Sequence, residues 1–266
     1  MHSSGVRTLV LAALICTLSN ALAADEPPKT SPKIGQPGKD IVWLPTSQLL
    51  VERMLGLARV TSDDYLIDLG SGDGRIVIAA AKRGAKALGV EYNPELVQLS
   101  RDNAAAAGVS ARATFVSGDL FQTDFSPATV ITMFLHTDLN LKLRPRLLEL
   151  KPGTRIVSNS FTMGEWQSDE EVSVKRGCFS HCTAYLWIIP AKVQGIWHLA
   201  DGTLELRQTF QLISGTLVRG VNRLPISHGI MDGEQILFTA GETQYTGRVI
   251  GNTIDGGSWK ATRVGQ

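Results

Sequence analysis

The segment Asp68-Leu-Gly-Ser-Gly-Asp-Gly-Arg75 constrains the fold of this chain more than any other feature. A short apolar run typical of a strand leads into it at 65–69, and a stretch typical of a helix follows at 75–83. Glycines at alternate positions allow a tight turn and let the backbone approach a ligand closely. The segment therefore predicts a strand, a ligand-binding turn and a helix in succession.

Strand and helix patterns continue to alternate over about 100 residues after this point. A helical stripe also precedes the first strand at 48–60, where Thr46 or Ser47 can cap it. Strands that alternate with helices form right-handed crossovers and a parallel sheet. We therefore predict an α/β fold with a Rossmann-like, mostly parallel sheet. The further strands are expected at 87–90, 113–116, 129–135 and 155–158, and the further helices at 94–107 and 139–150.

The pattern changes after residue 191, where apolar and polar residues alternate at 203–212, 235–239 and 244–250 without a helical stripe. We predict a small antiparallel β domain at 195–266, with about eight short strands or fewer. Its turns are expected at the glycine-containing segments Ser214-Gly215, Asp232-Gly233, Gly251-Asn252 and Asp255-Gly256-Gly257.

The N-terminus has the pattern of an export signal. Arg7 precedes an apolar run at 8–23 that ends in the small-x-small sequence Ala21-Leu22-Ala23. We expect cleavage after Ala23, no stable membrane span afterwards and a periplasmic or secreted location, with an uncleaved membrane anchor as the alternative. Residues 24–40 are rich in proline and glycine and are expected to form a linker.

Three acidic side chains are expected at neighbouring strand ends, and they indicate the ligand. Asp68 would repel a pyrophosphate but can accept hydrogen bonds from an ammonium group, and a dinucleotide-binding turn would have glycine where Arg75 stands. Glu91 can bind ribose hydroxyls, and Asp119 can accept from an adenine amino group. Adenine, ribose and an amino-acid tail without phosphate together predict S-adenosylmethionine as the cofactor. We expect no metal.

Two segments carry a resemblance to a known family: Leu66-Ile-Asp-Leu-Gly-Ser-Gly-Asp-Gly-Arg-Ile-Val-Ile-Ala-Ala-Ala81 and Gly89-Val-Glu-Tyr-Asn-Pro94. Over roughly residues 42–190 the chain resembles the class I, seven-strand S-adenosylmethionine-dependent methyltransferases. Together with Pro45-Thr46, these segments are most similar to the protein-lysine methyltransferases of mitochondrial ATP synthase c-subunit and adenine nucleotide translocase. The resemblance implies a methyltransferase domain at 41–194 with a seven-strand sheet.

The resemblance also implies the activity, methyl transfer to a protein lysine. A small-molecule methyl acceptor is one alternative, and an exported binding protein with a catalytically silent methyltransferase fold is another. A nucleic-acid partner is not expected, because 26 Lys and Arg residues nearly balance 25 Asp and Glu residues. By the resemblance the cofactor is bound by Asp68, Gly70, Gly72, Glu91 and Asp119, with Tyr92 packing on adenine, and our predicted set adds Ser71, Asp73, Gly74 and Leu120.

Phe134 and His136, at the end of the predicted strand 129–135, are the candidates for lining the acceptor site and for catalysis. The amine of a free lysine has a pKa of about 10.4, so the site must favour its neutral form. Aromatic walls do this by excluding water, and a histidine can accept the proton. Trp43 and Trp166 are candidates for closing the site. The alternative is that Phe134 is a core residue and His136 only begins a helix.

Cys178 and Cys182 are the cysteines that remain after the predicted signal. In a straight strand they would lie about 13 Å apart, too far to bridge, whereas a hairpin turn would let them form a disulfide. With His181 between them they are one ligand short of a structural zinc site. A local disulfide or two packed thiols are therefore favoured over a metal.

Overall fold

The computed structural model describes residues 33–36 and 42–264. The predicted export signal and most of the predicted linker lie outside these residues. The described helices are α1 Gln48–Leu57, α2 Arg75–Lys82, α3 Pro94–Ala106 and α4 Thr137–Leu147. The described strands are β1 Tyr65–Leu69, β2 Lys86–Glu91, β3 Ala113–Ser117, β4 Val130–Met133, β5 Arg155–Asn159, β6 Glu170–Ser173, β7 Thr183–Ile188, β8 Gly195–Leu199, β9 Gly202–Thr209, β10 Leu212–Arg219, β11 Asn222–Asp232, β12 Gln235–Ala240, β13 Thr243–Ile250, β14 Thr253–Asp255 and β15 Lys260–Arg263.

Seven strands form one sheet in the order β3-β2-β1-β4-β5-β7-β6. Within this order, the five neighbouring strands β3-β2-β1-β4-β5 are parallel to one another. Strand β7 runs antiparallel to both β5 and β6. The order reverses beside β1, which pairs with β2 on one side and β4 on the other. In open α/β sheets a ligand binds at the carboxyl ends of the strands at such a reversal. The predicted α/β fold class is confirmed.

Both faces of this sheet are buried, so its central strands are apolar almost without a break. Successive side chains of a strand point to opposite faces. In β1, Leu66 packs with α1 and α2, whereas Ile67 and Leu69 pack with α4. Asp68 alternates with these apolar residues and is itself only 2% exposed. The predicted helix at 48–60 ends earlier, at Leu57, and the Ser47 side chain caps its first turn by accepting from the Leu50 N–H at 3.3 Å.

The last eight strands close into an antiparallel barrel in the order β10-β11-β12-β13-β14-β15-β8-β9. Its interior is filled by apolar and aromatic side chains, including Trp197, Phe238 and Tyr245. One predicted turn is wrong: Ser214-Gly215 lies inside β10, where the pairing with β11 is irregular. A Cβ at Gly215 would collide with the Glu205 carbonyl of β9, so this glycine permits close strand approach instead of a turn.

The predicted strand at 203–212 extends too far, because the chain reverses at Phe210-Gln211 between β9 and β10. Phe210 has φ 53° and stacks on Trp166 at 5.4 Å between ring centroids. Gln211 is buried, and its amide donates to the Gln167 carbonyl at 2.9 Å. This turn therefore packs the barrel against the sheet. No helix within 33–36 and 42–264 has the length and apolar character needed to cross a membrane.

Candidate active site

A cavity opens at the carboxyl ends of β1, β2 and β4, where the strand order reverses. One end, here called the carboxylate end, is lined by Asp68, Glu91 and Asp119. The other, called the aromatic end, is lined by Phe134, His136, Phe161 and His181. The structure brings together in this cavity all of the predicted cofactor and acceptor residues except Gly74, which lies in the turn but does not line the cavity.

The glycine-rich turn is held against β2 by backbone hydrogen bonds. The N–H groups of Gly70 and Ser71 both donate to the Val90 carbonyl, at 2.8 and 3.0 Å. Gly70, Gly72 and Gly74 have φ of 83°, 55° and 80°, which favour glycine. A Cβ at Gly74 would also lie 2.7 Å from the Phe115 ring. Gly74 therefore shapes the turn without facing the cavity.

Helix α3 fixes the same turn through two side chains that were not predicted from the sequence. The buried Ser100 hydroxyl donates to the Gly72 carbonyl at 2.8 Å, and the Asn103 amide donates to the Asp73 carbonyl at 3.0 Å. Both carbonyls are thereby held by side chains of α3. The sequence signal that could have revealed this role was Ser100, a polar residue within the helical stripe at 94–107.

Asp68 lies at the floor of the carboxylate end. Its Oδ1 accepts from the Thr132 hydroxyl of β4 at 2.6 Å. Burial raises the pKa of Asp68 to about 7, and the nearby carboxylates of Glu91 and Asp73 act in the same direction, whereas the Thr132 hydrogen bond opposes it. An ionised Asp68 is therefore stabilised by any cation that enters the cavity.

Glu91 lies at the end of β2 with both carboxylate oxygens oriented by backbone. Its Oε2 accepts from the Gly72 N–H at 2.9 Å, and its Oε1 accepts from the Asn93 N–H at 2.9 Å. Each oxygen has a second lone pair, so the carboxylate can still accept from ribose hydroxyls. The Asp119 Oδ1 accepts from the Phe121 N–H at 2.9 Å, and the exposed Tyr92 and half-buried Leu120 border the cavity beside it.

Asp73 is oriented differently from the other acidic residues. Its carboxylate forms a bidentate ion pair with Arg75, with Nη2 to Oδ2 at 2.5 Å and Nε to Oδ1 at 2.9 Å. The Arg75 guanidinium also donates to the Thr46 carbonyl at 2.7 Å. Through Arg75, Asp73 therefore connects the turn to the segment before α1. Its carboxylate is occupied by the ion pair with Arg75.

The carboxylate end fits an adenosyl cofactor that carries an ammonium group and no phosphate. Its three carboxylates would repel a phosphate, and Asp68 is buried without a cation partner among the described side chains. The buried Ser71 hydroxyl finds no hydrogen-bond partner among the described residues either. A polar ligand in the cavity would supply a cation for Asp68 and a hydrogen-bond partner for Ser71.

At the aromatic end, rings from three separate segments pack together. The Phe161 ring stacks on Phe134 at 6.0 Å between centroids and contacts His136 at 4.8 Å. The His181 ring is edge-on to Phe134 at 5.1 Å. Phe134 is half-buried and faces the cavity. His136 does stand at the N-cap of α4, but its imidazole makes no capping hydrogen bond and packs on Phe161.

Phe161 and His181 were not predicted as site residues from the sequence. Phe161 follows the end of β5, and His181 lies in the loop before β7, so their only signal was their position beside strands that reach this edge. The Cys178–Cys182 disulfide, one of the two arrangements favoured from the sequence, is formed, with 5.8 Å between the Cα atoms.

The two tryptophans expected to close the site differ. Trp43 lies over the turn, and a Cβ at Gly72 would collide with its indole nitrogen. Trp43 is held there by two backbone hydrogen bonds, from the Gly35 N–H to its carbonyl at 2.9 Å and from its N–H to the Gln36 carbonyl at 3.0 Å. The expectation is wrong for Trp166, which is 1% exposed, packs between the sheet and Phe210, and does not line the cavity.

Comparison with known proteins decides the family. The family profile described as the ANTKMT methyltransferase domain matches residues 68–170. A protein-lysine N-methyltransferase of Saccharolobus islandicus is 46% identical over 152 residues, which are 56% of this chain and 94% of that protein. The chain belongs to the protein-lysine methyltransferase family. It is an S-adenosylmethionine-dependent methyltransferase, as the resemblance implied.

Two further relatives show how far the similarity extends. The lysine N-methyltransferase of the ATP synthase c-subunit from Mus musculus is 38% identical over 128 residues, 48% of this chain and 51% of the mouse protein, so this methyltransferase spans about half of that relative. The crystal structure of an RNA methyltransferase from Salinibacter ruber, in complex with S-adenosyl-L-homocysteine, is 47% identical with a TM-score of 0.53 and covers 56% of this chain and 96% of that one. The family profile ends before β8, the first barrel strand.

Proposed function

We propose that this methyltransferase transfers a methyl group to the ε-amine of a lysine in a protein, with the lysine entering the cavity from the aromatic end. The observation that carries the proposal is the continuity of the cavity between carboxylates that suit the cofactor and rings that suit an alkylamine. The Saccharolobus and mouse relatives, both named lysine methyltransferases, support it.

The carboxylate end would hold S-adenosylmethionine through Asp68, Glu91 and Asp119. When bound, this cofactor supplies the methyl group from its sulfonium by in-line displacement. The turn contributes fixed positions, because Val90, Ser100 and Asn103 hold its backbone through hydrogen bonds within the protein. A site that is already ordered loses less entropy when it orients the reacting groups, and the barrier to transfer is lower for that reason.

The aromatic end would bind the amine and keep it reactive. The rings of Phe134 and Phe161 exclude water, which disfavours the charged form of the amine and lowers its pKa. Their faces attract the cationic form that arrives from solution and the methylammonium that leaves, an interaction that acts against this lowering of the pKa. His136 is exposed beside Phe161, where its imidazole can accept the proton released from the amine and pass it to water.

The test is transfer of a tritiated methyl group from S-adenosylmethionine to an array of synthetic lysine peptides, with the full chain as the enzyme. Matched peptides with arginine in place of lysine are the control. We expect label on lysine peptides alone, and a mass increase of one or more methyl groups on the lysine side chain. Label on the arginine peptides, or none on any peptide from protein that binds the cofactor, would contradict the proposal.

An RNA acceptor is the second candidate, because the Salinibacter ruber relative is described as an RNA methyltransferase. The nearly equal numbers of acidic and basic residues in this chain do not favour it, since RNA affinity depends on phosphate contacts with Lys and Arg. Adding total RNA to the same assay separates the two acceptors. Label that ribonuclease removes would favour RNA, and label that only protease removes would favour protein.

We also propose that the protein is exported and that its domain limits are 41–194 and 195–266. Export is supported by the signal pattern at 1–23 and by the disulfide, because disulfides persist in oxidising compartments. The domain limits are supported by the last sheet strand, which ends at Ile188, and by the first barrel strand, which begins at Gly195. Cell fractionation with N-terminal sequencing tests the first proposal, and limited proteolysis tests the second.

A further inference from the structure

His181 is the part of the aromatic end that the proposed function leaves without a role. It lies between β6 and β7 in the loop 174–182, here called the disulfide loop, whose residues 175–177, 179 and 180 are exposed. Phe179, at the tip, is fully exposed and gives the loop no apolar anchor. Yet His181 is half-buried, lines the cavity and contacts both Phe134 and Phe161.

The disulfide closes the loop around His181. Cys178 and Cys182 close a ring that contains His181, and the Val174 N–H donates to the Cys182 carbonyl at 2.8 Å at its base. His181 has φ 54°, a left-handed conformation that residues other than glycine rarely adopt and that persists only where the surroundings hold it. A ring of so few residues leaves the backbone at 181 few other conformations.

The contacts of His181 place it on the acceptor side of the cavity. Its ring is edge-on to Phe134 at 5.1 Å and lies 5.8 Å from Phe161, between centroids. These three rings and that of His136 line the same end of the cavity. Rings arranged around an alkylamine attract its cation and exclude water.

We propose that His181 is an acceptor-binding residue of the methyltransferase and that the Cys178–Cys182 disulfide is the positioning element that holds it there. This inference rests on the proposed function. It follows that reduction lowers acceptor turnover: a dithiol such as dithiothreitol exchanges with the disulfide, two protein thiols form, and the reagent leaves as its cyclic disulfide.

Reduction is expected to leave the cofactor affinity unchanged. Asp68 is oriented by Thr132 of β4, and Glu91 is oriented by the backbone N–H groups of Gly72 and Asn93. These partners belong to β4, to the glycine-rich turn and to the N-cap of α3, none of which is part of the disulfide loop. The two readouts, acceptor turnover and cofactor affinity, therefore separate a local effect of the loop from a loss of the fold.

The experiment compares variants of the full chain on the lysine-peptide array, with S-adenosylhomocysteine affinity measured in parallel. His181→Ala is expected to lower kcat/KM for the peptide about tenfold, through a higher KM, with cofactor affinity within about twofold of wild type. His181→Phe keeps a ring in place and is expected to retain most of the activity. Phe179→Ala, in the same loop but fully exposed, is the matched control and is expected to behave as wild type.

The positioning role of the disulfide is tested by a mutant cycle between the cysteine pair and His181. Cys178→Ser/Cys182→Ser is expected to lose as much activity as His181→Ala, and the triple variant no more than either. Dithiothreitol is expected to inhibit wild type, but neither the cysteine variant nor His181→Ala. Additive losses, or cysteine variants with full activity, would overturn the role of the disulfide, and an unchanged kcat/KM in His181→Ala would overturn that of His181. A wild type that binds cofactor but methylates no lysine would instead overturn the proposed function, and this inference with it.

Discussion

At the carboxylate end of the cavity, polar groups are fixed by hydrogen bonds between neighbouring elements, as when Ser100 holds the Gly72 carbonyl and two backbone N–H groups hold Glu91. At the aromatic end, rings from the segments after β4 and β5 and from the disulfide loop meet mainly through ring contacts. The first end is suited to one ligand of fixed shape. The second imposes fewer directional demands, which suits a flexible alkylamine side chain.

The largest expected effect comes from a substitution at Asp68, which should act on the carboxylate end alone. Asp68→Asn removes the charge that we propose accepts from the ammonium group of the cofactor, and we expect affinity for S-adenosylmethionine to fall about a hundredfold, the equivalent of roughly 3 kcal/mol. The fold should be retained, because the variant keeps the shape of the side chain and relieves a buried carboxylate. Titration calorimetry measures the affinity. Asp63→Asn, an exposed aspartate before the same strand, is the control, and equal affinity in both variants would contradict the assignment.

At the other end, Phe161→Ala should affect transfer and leave cofactor binding alone. Loss of this ring would open the proposed acceptor site to water, and we expect kcat/KM for a lysine peptide to fall about thirtyfold, roughly 2 kcal/mol. Cofactor affinity should stay within about twofold of wild type. The two quantities are measured on the same protein preparation. A loss of cofactor affinity as large as the loss of turnover would show that the ends are not independent.

The pH dependence of cofactor affinity should also originate at the carboxylate end. The pKa of Asp68 is raised to about 7, and the cation of the cofactor favours the ionised form, so binding releases a proton below that pH. Affinity is expected to be greatest above about pH 7. Below that pH it is expected to fall with a slope that approaches tenfold for each pH unit. The measurement is the dissociation constant on both sides of that pH. The Asp68→Asn variant should show a flat profile over the same range, and a sloping one would assign the effect to another group.

The smallest expected effect concerns the support of the turn. Ser100→Ala removes the hydroxyl that donates to the Gly72 carbonyl, and we expect cofactor affinity to fall about fivefold, roughly 1 kcal/mol. The affinity is again measured by titration calorimetry. Ser110→Ala, which changes an exposed serine shortly after α3, is the matched control. Equal effects of the two variants would mean that Ser100 has no specific role in the turn.

The carboxylate end could be predicted from the sequence because its residues lie at the ends of consecutive strands. Once β1, β2 and β3 are recognised, Asp68, Glu91 and Asp119 must meet at one edge of a parallel sheet. What the pattern could not reveal is that Asp73 turns to Arg75, since a carboxylate in a glycine-rich turn has no fixed direction without its partners.

The aromatic end depends on contacts between distant segments and was only half predicted. Phe134 and His136 follow β4 directly, whereas His181 reaches the cavity from a loop that a disulfide shapes. Trp166 was misplaced for a related reason. A tryptophan in a loop is a reasonable candidate for a site, but here it is covered by Phe210, whose turn contains neither glycine nor proline to reveal it.

The most direct test of this account is a crystal structure of the methyltransferase with S-adenosylhomocysteine. We expect the ammonium group of the ligand within hydrogen-bond distance of the Asp68 carboxylate, the ribose hydroxyls on Glu91, and the sulfur facing the rings of Phe134 and Phe161. A ligand that occupies the cavity with its sulfur directed away from those rings would contradict the central claim, that one cavity joins the cofactor to a lysine acceptor.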